Sequence, residues 1–182
     1  MTATDFLISL MDASGGGIQG RTLLQKRAYF VKLLTDLDVD LGFDAHFYGP
    51  YSAVIDNTIT HLKNLSFVQE GSTAYGVNQT GFEMKRYDYR LTPDGQKIAL
   101  KLRENDEYTK VKSAVERLTQ AGNPNYMELS IAAKAYYILK RRNEGMSKYE
   151  IIREALKFAW NIESTSLESG VSFLEKLGVL ER

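Results

Sequence analysis

The residues that could do chemistry are few and scattered. His46 and His61 are the only histidines in the 182-residue chain, and there is no cysteine. A metal site needs three or four converging ligands, commonly with a pair at i and i+4 on one helix. Two isolated histidines do not supply that, so they read as packing and surface groups. The lack of cysteine excludes a disulfide framework, an iron–sulfur cluster and a thiol nucleophile. Gly15-Gly16-Gly17 is followed by no Lys-Ser/Thr pair, and neither a GxSxG turn nor a GxGxxG turn occurs. Carboxylate pairs discriminate nothing in a chain with 23 acids. The sequence therefore predicts no catalytic residue, no metal and no cofactor, and a binding protein rather than an enzyme.

Binding chemistry is better represented. From Pro50 to Leu65 the apolar residues Tyr51, Ile55, Ile59, Leu62 and Leu65 recur at helical spacing. Asp56, Asn57, Thr60, Lys63 and Asn64 occupy the opposite face. In a DNA groove, Asn57, Thr60, His61 and Asn64 would meet base edges, with Lys63, Lys85, Arg86 and Arg90 on phosphates. Charge argues against this. Lys plus Arg equal Asp plus Glu at 23 each, and residues 1–65 hold five basic against seven acidic side chains. Residues 66–122 and 123–182 each hold nine basic and eight acidic, so no segment has a large cationic surplus. A protein partner is favoured and DNA is the alternative, with pairing to a second copy of the chain compatible with either. Lys140-Arg141-Arg142 is the densest basic cluster, and its place at a helix end suits the negative end of the helix dipole. Tyr136, Tyr137, Tyr149 and Trp160 fit either an interface or a half-buried core.

These residues need elements to hold them. Thr4 is placed as the N-cap of a helix carrying Phe6, Leu7, Leu10 and Met11, which Ser14–Gly17 ends. Ile18 then makes a short extended contact. Thr22 and Gln25 have the spacing of a capping box, opening a helix that buries Leu24, Ala28, Val31 and Leu34. Leu23, Phe30 and Leu33 widen that stripe, and Lys26, Arg27 and Lys32 are assigned to the surface. Asp36, Asp38 and Asp40 begin a loop, and Pro50 suits the first turn of the next helix. Ser66–Gln69 and Tyr87–Leu91 read as strands around a polar tip from Glu70 to Lys85. Thr92 and Pro93 open a helix expected to run to about Gln120, before a break at 121–125. Three further helices follow, two of them capped by Ser147 and Ser164, and Gly178–Leu180 reads as a short terminal strand. The order of three helices and then a strand thus occurs twice.

Helix, helix, helix, strand, long turn, strand is the order of a winged helix-turn-helix. The expected fold is mainly α (α+β): a winged helix-turn-helix domain with a β-hairpin wing over 1–122, and a helical C-terminal domain over 123–182. That second domain has three helices and could be another winged-helix-like unit. Gly20-Arg21-Thr22-Leu23-Leu24-Gln25-Lys26 with Tyr29-Phe30, and then His46-Phe47-Tyr48-Gly49-Pro50-Tyr51-Ser52, resembles the YwgA-like family of uncharacterised prokaryotic proteins. It is more distantly similar to the Panacea (SocA-like) antitoxin domain. The resemblance covers the first half, to about Gly95. Leu129–Lys134 and Phe173–Gly178 are compatible with the longer YwgA-like members.

The resemblance implies a cytoplasmic, non-catalytic protein linked to phage or toxin–antitoxin biology, working as an antitoxin or as an adaptor that delivers a toxin for degradation. The apolar runs fall short of the roughly 18 residues that span a bilayer. The N-terminus carries Asp5 and no early cation, unlike a secretory signal. The expected contacts to a protein or DNA partner are Arg21, Tyr51, Asn57, Thr60, Lys63, Asn64, Arg86 and Arg90. Arg21 and the Gly-Pro-Tyr-Ser turn sit at helix starts, where an arginine can meet an anion or a partner's carboxylate. Their architectural alternative is that Arg21 braces a loop and Tyr51 packs in the core.

Overall fold

The computed structural model describes residues 1–77, 83–142 and 145–180. Its elements in chain order are α1 (Ala3–Ala13), β1 (Gly17–Gln19), α2 (Arg21–Leu34), β2 (Phe43–Asp44), β3 (Tyr51–Ser52), α3 (Ala53–Asn64), β4 (Val68–Val77), β5 (Glu83–Leu91), α4 (Pro93–Leu102), α5 (Asp106–Gln120), α6 (Tyr126–Arg142), α7 (Lys148–Leu156) and α8 (Ser164–Lys176). The described protein is mainly helical, with two small antiparallel sheets ordered β1-β5-β4 and β2-β3. None of these helices is long and apolar enough to cross a membrane.

The N-cap of α1 is Thr2, two residues before the expected Thr4. The Thr2 hydroxyl accepts from the Asp5 amide at 3.1 Å while the Asp5 carboxylate reaches back to the Thr2 amide. Asp5 then stands three residues after the cap, the geometry a capping box requires. Six consecutive residues, Phe6 to Met11, are buried, so α1 is a central helix wrapped on all sides. It packs on α3, α4 and α5.

Ile18 makes the expected extended contact, pairing with Tyr89 as β1 joins β5. Gly20 continues this ladder by donating to the Tyr87 carbonyl at 3.1 Å, and Arg21 is already helical. The chain turns from strand to helix within one residue, which Gly20 permits with φ of 107°. Gly20 rather than Thr22 is therefore the N-cap, and Gln25 is released for another role.

Ser52, not Pro50, starts α3. Its hydroxyl accepts from the Ile55 amide at 3.0 Å, and Tyr51-Ser52 is extended and paired with Phe43-Asp44. Strands β4 and β5 are longer than their polar sequence indicated, because Glu70–Ala74 pair with Lys85–Tyr89. The first strand begins at Val68, since Ser66 turns at φ of 60°. Residues 78–82 of the expected tip lie outside the described residues.

The single helix expected from Pro93 to Gln120 is two. Arg103 donates two bonds to Asp12, at 2.8 and 2.9 Å, and the Tyr108 hydroxyl adds a third at 2.7 Å. Arg103 and then Tyr108, by these bonds, hold the Asp12 carboxyl below its ordinary range. The break lets α4 lie on β5 while α5 packs on α2, with both touching α1. Thr92 and Ser147 are N-caps as expected. Helix α8 is instead flanked by Glu163, with Ser164 its first helical residue. Residues 177–180 form a turn and bend, so no strand follows the last three helices among the described residues. Buried side chains of both halves join one cluster, which includes Phe6, Ile55, Leu129 and Trp160. Phe30 of α2 meets Phe173 of α8 edge-on at 5.7 Å.

The junction of β4 and α4 has no spare room. A Cβ at Gly95 would lie 2.1 Å from the Phe67 carbonyl oxygen. Gly95→Ala is expected to lower stability by about 3 kcal/mol despite alanine's better helix propensity. Urea denaturation of the two proteins checks it.

Candidate functional site

The first two turns of α2 present Gln25 and Lys26 to the connection that leads to α3. The Gln25 carboxamide donates to the Ser52 carbonyl and accepts from the Ser52 amide, both at 2.9 Å, as a neighbouring strand would. The Ser52 hydroxyl donates to the Leu41 carbonyl, which ties the two ends of this segment together. The next residue, Lys26, is 1% exposed and its Nζ donates to the Pro50 carbonyl. Burial, reinforced by the nearby Lys134 ammonium, brings its pKa down to about 7. Lys134 reaches in from α6, and burial lowers its own pKa. It lies 5.8 Å from the centre of the Trp160 ring, whose Nε1 donates to the His46 carbonyl at 2.6 Å.

Arg21 and Tyr51 close the outer side. The Arg21 guanidinium is 5.3 Å from the centre of the Tyr87 ring, its Nε is 3.4 Å from the Tyr89 hydroxyl, and Asp56 is 3.7 Å away. Burial, and then Asp56, raise the pKa of Tyr51. The His46 ring is 4.9 Å from Tyr51 and 5.2 Å from Phe47. Between these groups lies a cavity of about 380 Å³, lined by Arg21, Thr22, Gln25, Lys26, His46, Tyr48 and Tyr51. The two segments that stood out in the sequence, residues 20–26 and 46–52, therefore face one another across it.

The other expected contact residues do not join this cluster. Asn57, Thr60 and Asn64 are exposed along α3, as is His61. Lys63 is paired with Glu70 at 2.8 Å. Arg86 makes two bonds to Asp88, at 2.7 and 2.9 Å, and Arg90 is exposed. Along β5, positions 86, 88 and 90 alternate with 87, 89 and 91. Arg86 and Arg90 therefore face away from the Tyr87–Tyr89 side that holds Arg21. The Lys140-Arg141-Arg142 cluster closes α6, with Arg142 on Glu154 at 2.6 Å and Arg141 over the Tyr137 ring. Trp160 is buried, Tyr136 and Tyr137 are half-buried, and Tyr149 is exposed.

Lys26, assigned to the surface from its charge, is the main correction. Its position carried a signal, because 23, 26, 30 and 33 form one stripe at spacings of three, four and three. Gln25 was occupied by an incorrect capping reading. The approach of Lys134 and Trp160 from more than a hundred residues away left no local mark. Among the described residues no group of His, Asp and Glu could hold a metal ion. Comparison with models of known protein families and with curated proteins finds no match.

Two outcomes follow for stability. Lys26 titrates near 7 when folded and near 10.5 when unfolded, so between these values the unfolded chain binds the extra proton. Stability should rise with pH across that window by up to about 1.4 kcal/mol per unit and be level below it, as far as this group contributes. Lys26→Met should remove most of that slope, leaving the smaller part due to Lys134; denaturant unfolding at several pH values measures both. Gln25→Leu strands two buried main-chain groups and should cost about 2–4 kcal/mol in the same assay.

Proposed function

We propose that the first part of the chain is a winged helix-turn-helix used for protein recognition, and that the protein is a non-enzymatic regulator of the antitoxin or adaptor kind. The order α1-β1-α2-α3-β4-β5 and the sheet order β1-β5-β4 support the winged-helix reading. The similarity of residues 20–26 and 46–52 to YwgA-like and Panacea-type sequences supports the regulatory one, in the cytoplasm.

One observation carries the choice of partner. Two of the four cations that would meet phosphate already face carboxylates, Lys63 on Glu70 and Arg86 on Asp88, and Arg21 stands near Asp56. At the 46–52 turn Phe47 and Tyr48 are 74% and 65% exposed, and Val54 at the start of α3 is partly uncovered. Paired charge on α3 and β5, together with exposed aromatic side chains at this turn, favours a protein interface over a nucleic-acid groove. The connection between α2 and α3 also spans residues 35–52, whereas a DNA-reading helix pair is joined by about three or four residues. The DNA reading keeps one favourable observation, the exposed row of Asn57, Thr60 and Asn64 on α3.

Two measurements separate these readings. Titration against mixed genomic fragments should show no saturable binding that persists at moderate salt; selective, salt-resistant binding would replace the proposal with the DNA regulator. A partner captured by affinity purification should lose about tenfold or more in affinity with Phe47→Ser plus Tyr48→Ser, and little with Asn57→Ala plus Asn64→Ala. The reverse pattern would put the contact on the outer face of α3.

A further inference from the structure

We infer that the cavity between the start of α2 and the 46–51 turn binds a small ligand carrying a phosphate-like oxyanion, with Lys26 and Arg21 as its charge contacts. Nothing in this inference depends on the partner being a protein, and its test uses the purified chain alone.

The residues lining the cavity include cations and no acid. Two lysines from different helices, Lys26 of α2 and Lys134 of α6, converge on the Gly49-Pro50 turn. Lys26 donates to the Pro50 carbonyl, and a Cβ on Gly49 would stand 3.0 Å from the Lys134 side chain. Neither lysine is ion-paired among the described residues. No carboxylate is among the residues that line the cavity; Asp56 is directed to Arg21 and Tyr51, and Glu70 acts on Arg21 from the side of Tyr89. Buried cations are normally compensated by acids, and an uncompensated one sheds its proton. The cavity therefore offers a buried amine able to take up a proton and a half-exposed guanidinium, with no carboxylate among its lining residues to exclude an incoming anion.

The lining gives the ligand its chemistry. Facing Lys26 around the cavity are Arg21 and Thr22 from α2, His46 and Tyr48 from the connection, and Tyr51 from β3, with Lys134 behind. Guanidinium, ammonium and hydroxyl donors suit the several acceptor oxygens of a phosphate. The volume, about 380 Å³, exceeds what one phosphate needs, and the rings of His46, Tyr48 and Tyr51 offer planar surfaces for the rest of the molecule. A phosphate monoester that also carries an aromatic ring has both parts.

Entry of the anion reverses the effect of burial on Lys26. The amine, largely neutral above its shifted pKa of about 7, regains its preference for the charged form beside an oxyanion. Binding near pH 8 should therefore take up about one proton per site. This separates a seated anion from diffuse attraction to the surface, because surface lysines are protonated already.

Isothermal titration of the native chain with inorganic phosphate, adenosine monophosphate and adenosine tests this. Run in buffers of different ionisation enthalpy, it also reads the proton uptake. Saturable binding of adenosine monophosphate is expected, tighter than phosphate and tighter than adenosine, with proton uptake near pH 8. Lys26→Met should weaken it about tenfold or more and abolish the uptake, and Arg21→Gln should weaken it while leaving the uptake in place. Arg21 is half-exposed, so its variant tests the site without relying on a substitution in the core. The inference is overturned if neither anion saturates in the millimolar range, if adenosine binds as tightly as its monophosphate, or if both variants bind like the native chain.

Discussion

The Lys26 amine held in the interior against the Pro50 carbonyl is the contact on which the arrangement around α3 depends. Residues 35–52 contain only the two-residue strands β2 and β3, so most of their main-chain groups have no partner in a ladder. Buried main-chain groups need partners wherever they lie. Gln25, Lys26, Ser52 and Trp160 supply them from the side, to residues 52, 50, 41 and 46 respectively. A fully charged lysine in that position would cost several kcal/mol in lost hydration. A neutral amine donating to a carbonyl avoids most of this cost, and the same substitution of neutrality for charge empties the cavity of compensating acids.

The outer surface is organised by pairing rather than by accumulation of one sign. Lys63 with Glu70 and Arg103 with Asp12 join neighbouring elements, and Arg86 with Asp88 forms a pair within β5. Pairs open to solvent contribute at most about 1 kcal/mol each, and of these three carboxylates that of Asp12 is the most sheltered, its side chain 7% exposed. Their larger effect is on the field the protein presents, because each removes a local positive potential that would attract phosphate. What then distinguishes the region beside the Gly-Pro-Tyr-Ser turn is its exposed apolar and aromatic area, with Phe47 and Tyr48 foremost.

Features governed by short-range rules were legible in the sequence. Thr92 with Pro93, Ser147, the extended contact at Ile18 and the break near 121–125 follow from capping, glycine and proline chemistry acting within a few residues. The errors arose where a distant partner decided. Asp12 splits a helix whose periodicity runs on through Arg103, and the Tyr87 carbonyl moves a helix start from Thr22 to Gly20. The cavity was half legible: its two walls stood out as segments 20–26 and 46–52, and Arg21 and Tyr51 were both singled out. Its floor was not, because charge placed Lys26 on the surface while the stripe of 23, 26, 30 and 33 placed it inside. Lys134 and Trp160 come from the far end of the chain, where no pattern within residues 1–52 could announce them.

Trp160 is the only tryptophan in the chain, and it is buried behind the turn with its indole N–H on the His46 carbonyl and Lys134 over its ring. Phe158 stacks on it at 4.8 Å. Indole emission depends on the polarity and charge around the ring, so this protein carries a single built-in optical reporter directly behind the turn that walls its cavity. A displacement of the 46–51 turn that broke the bond to His46 would be visible in the light of one residue, with no label and no background from others of its kind.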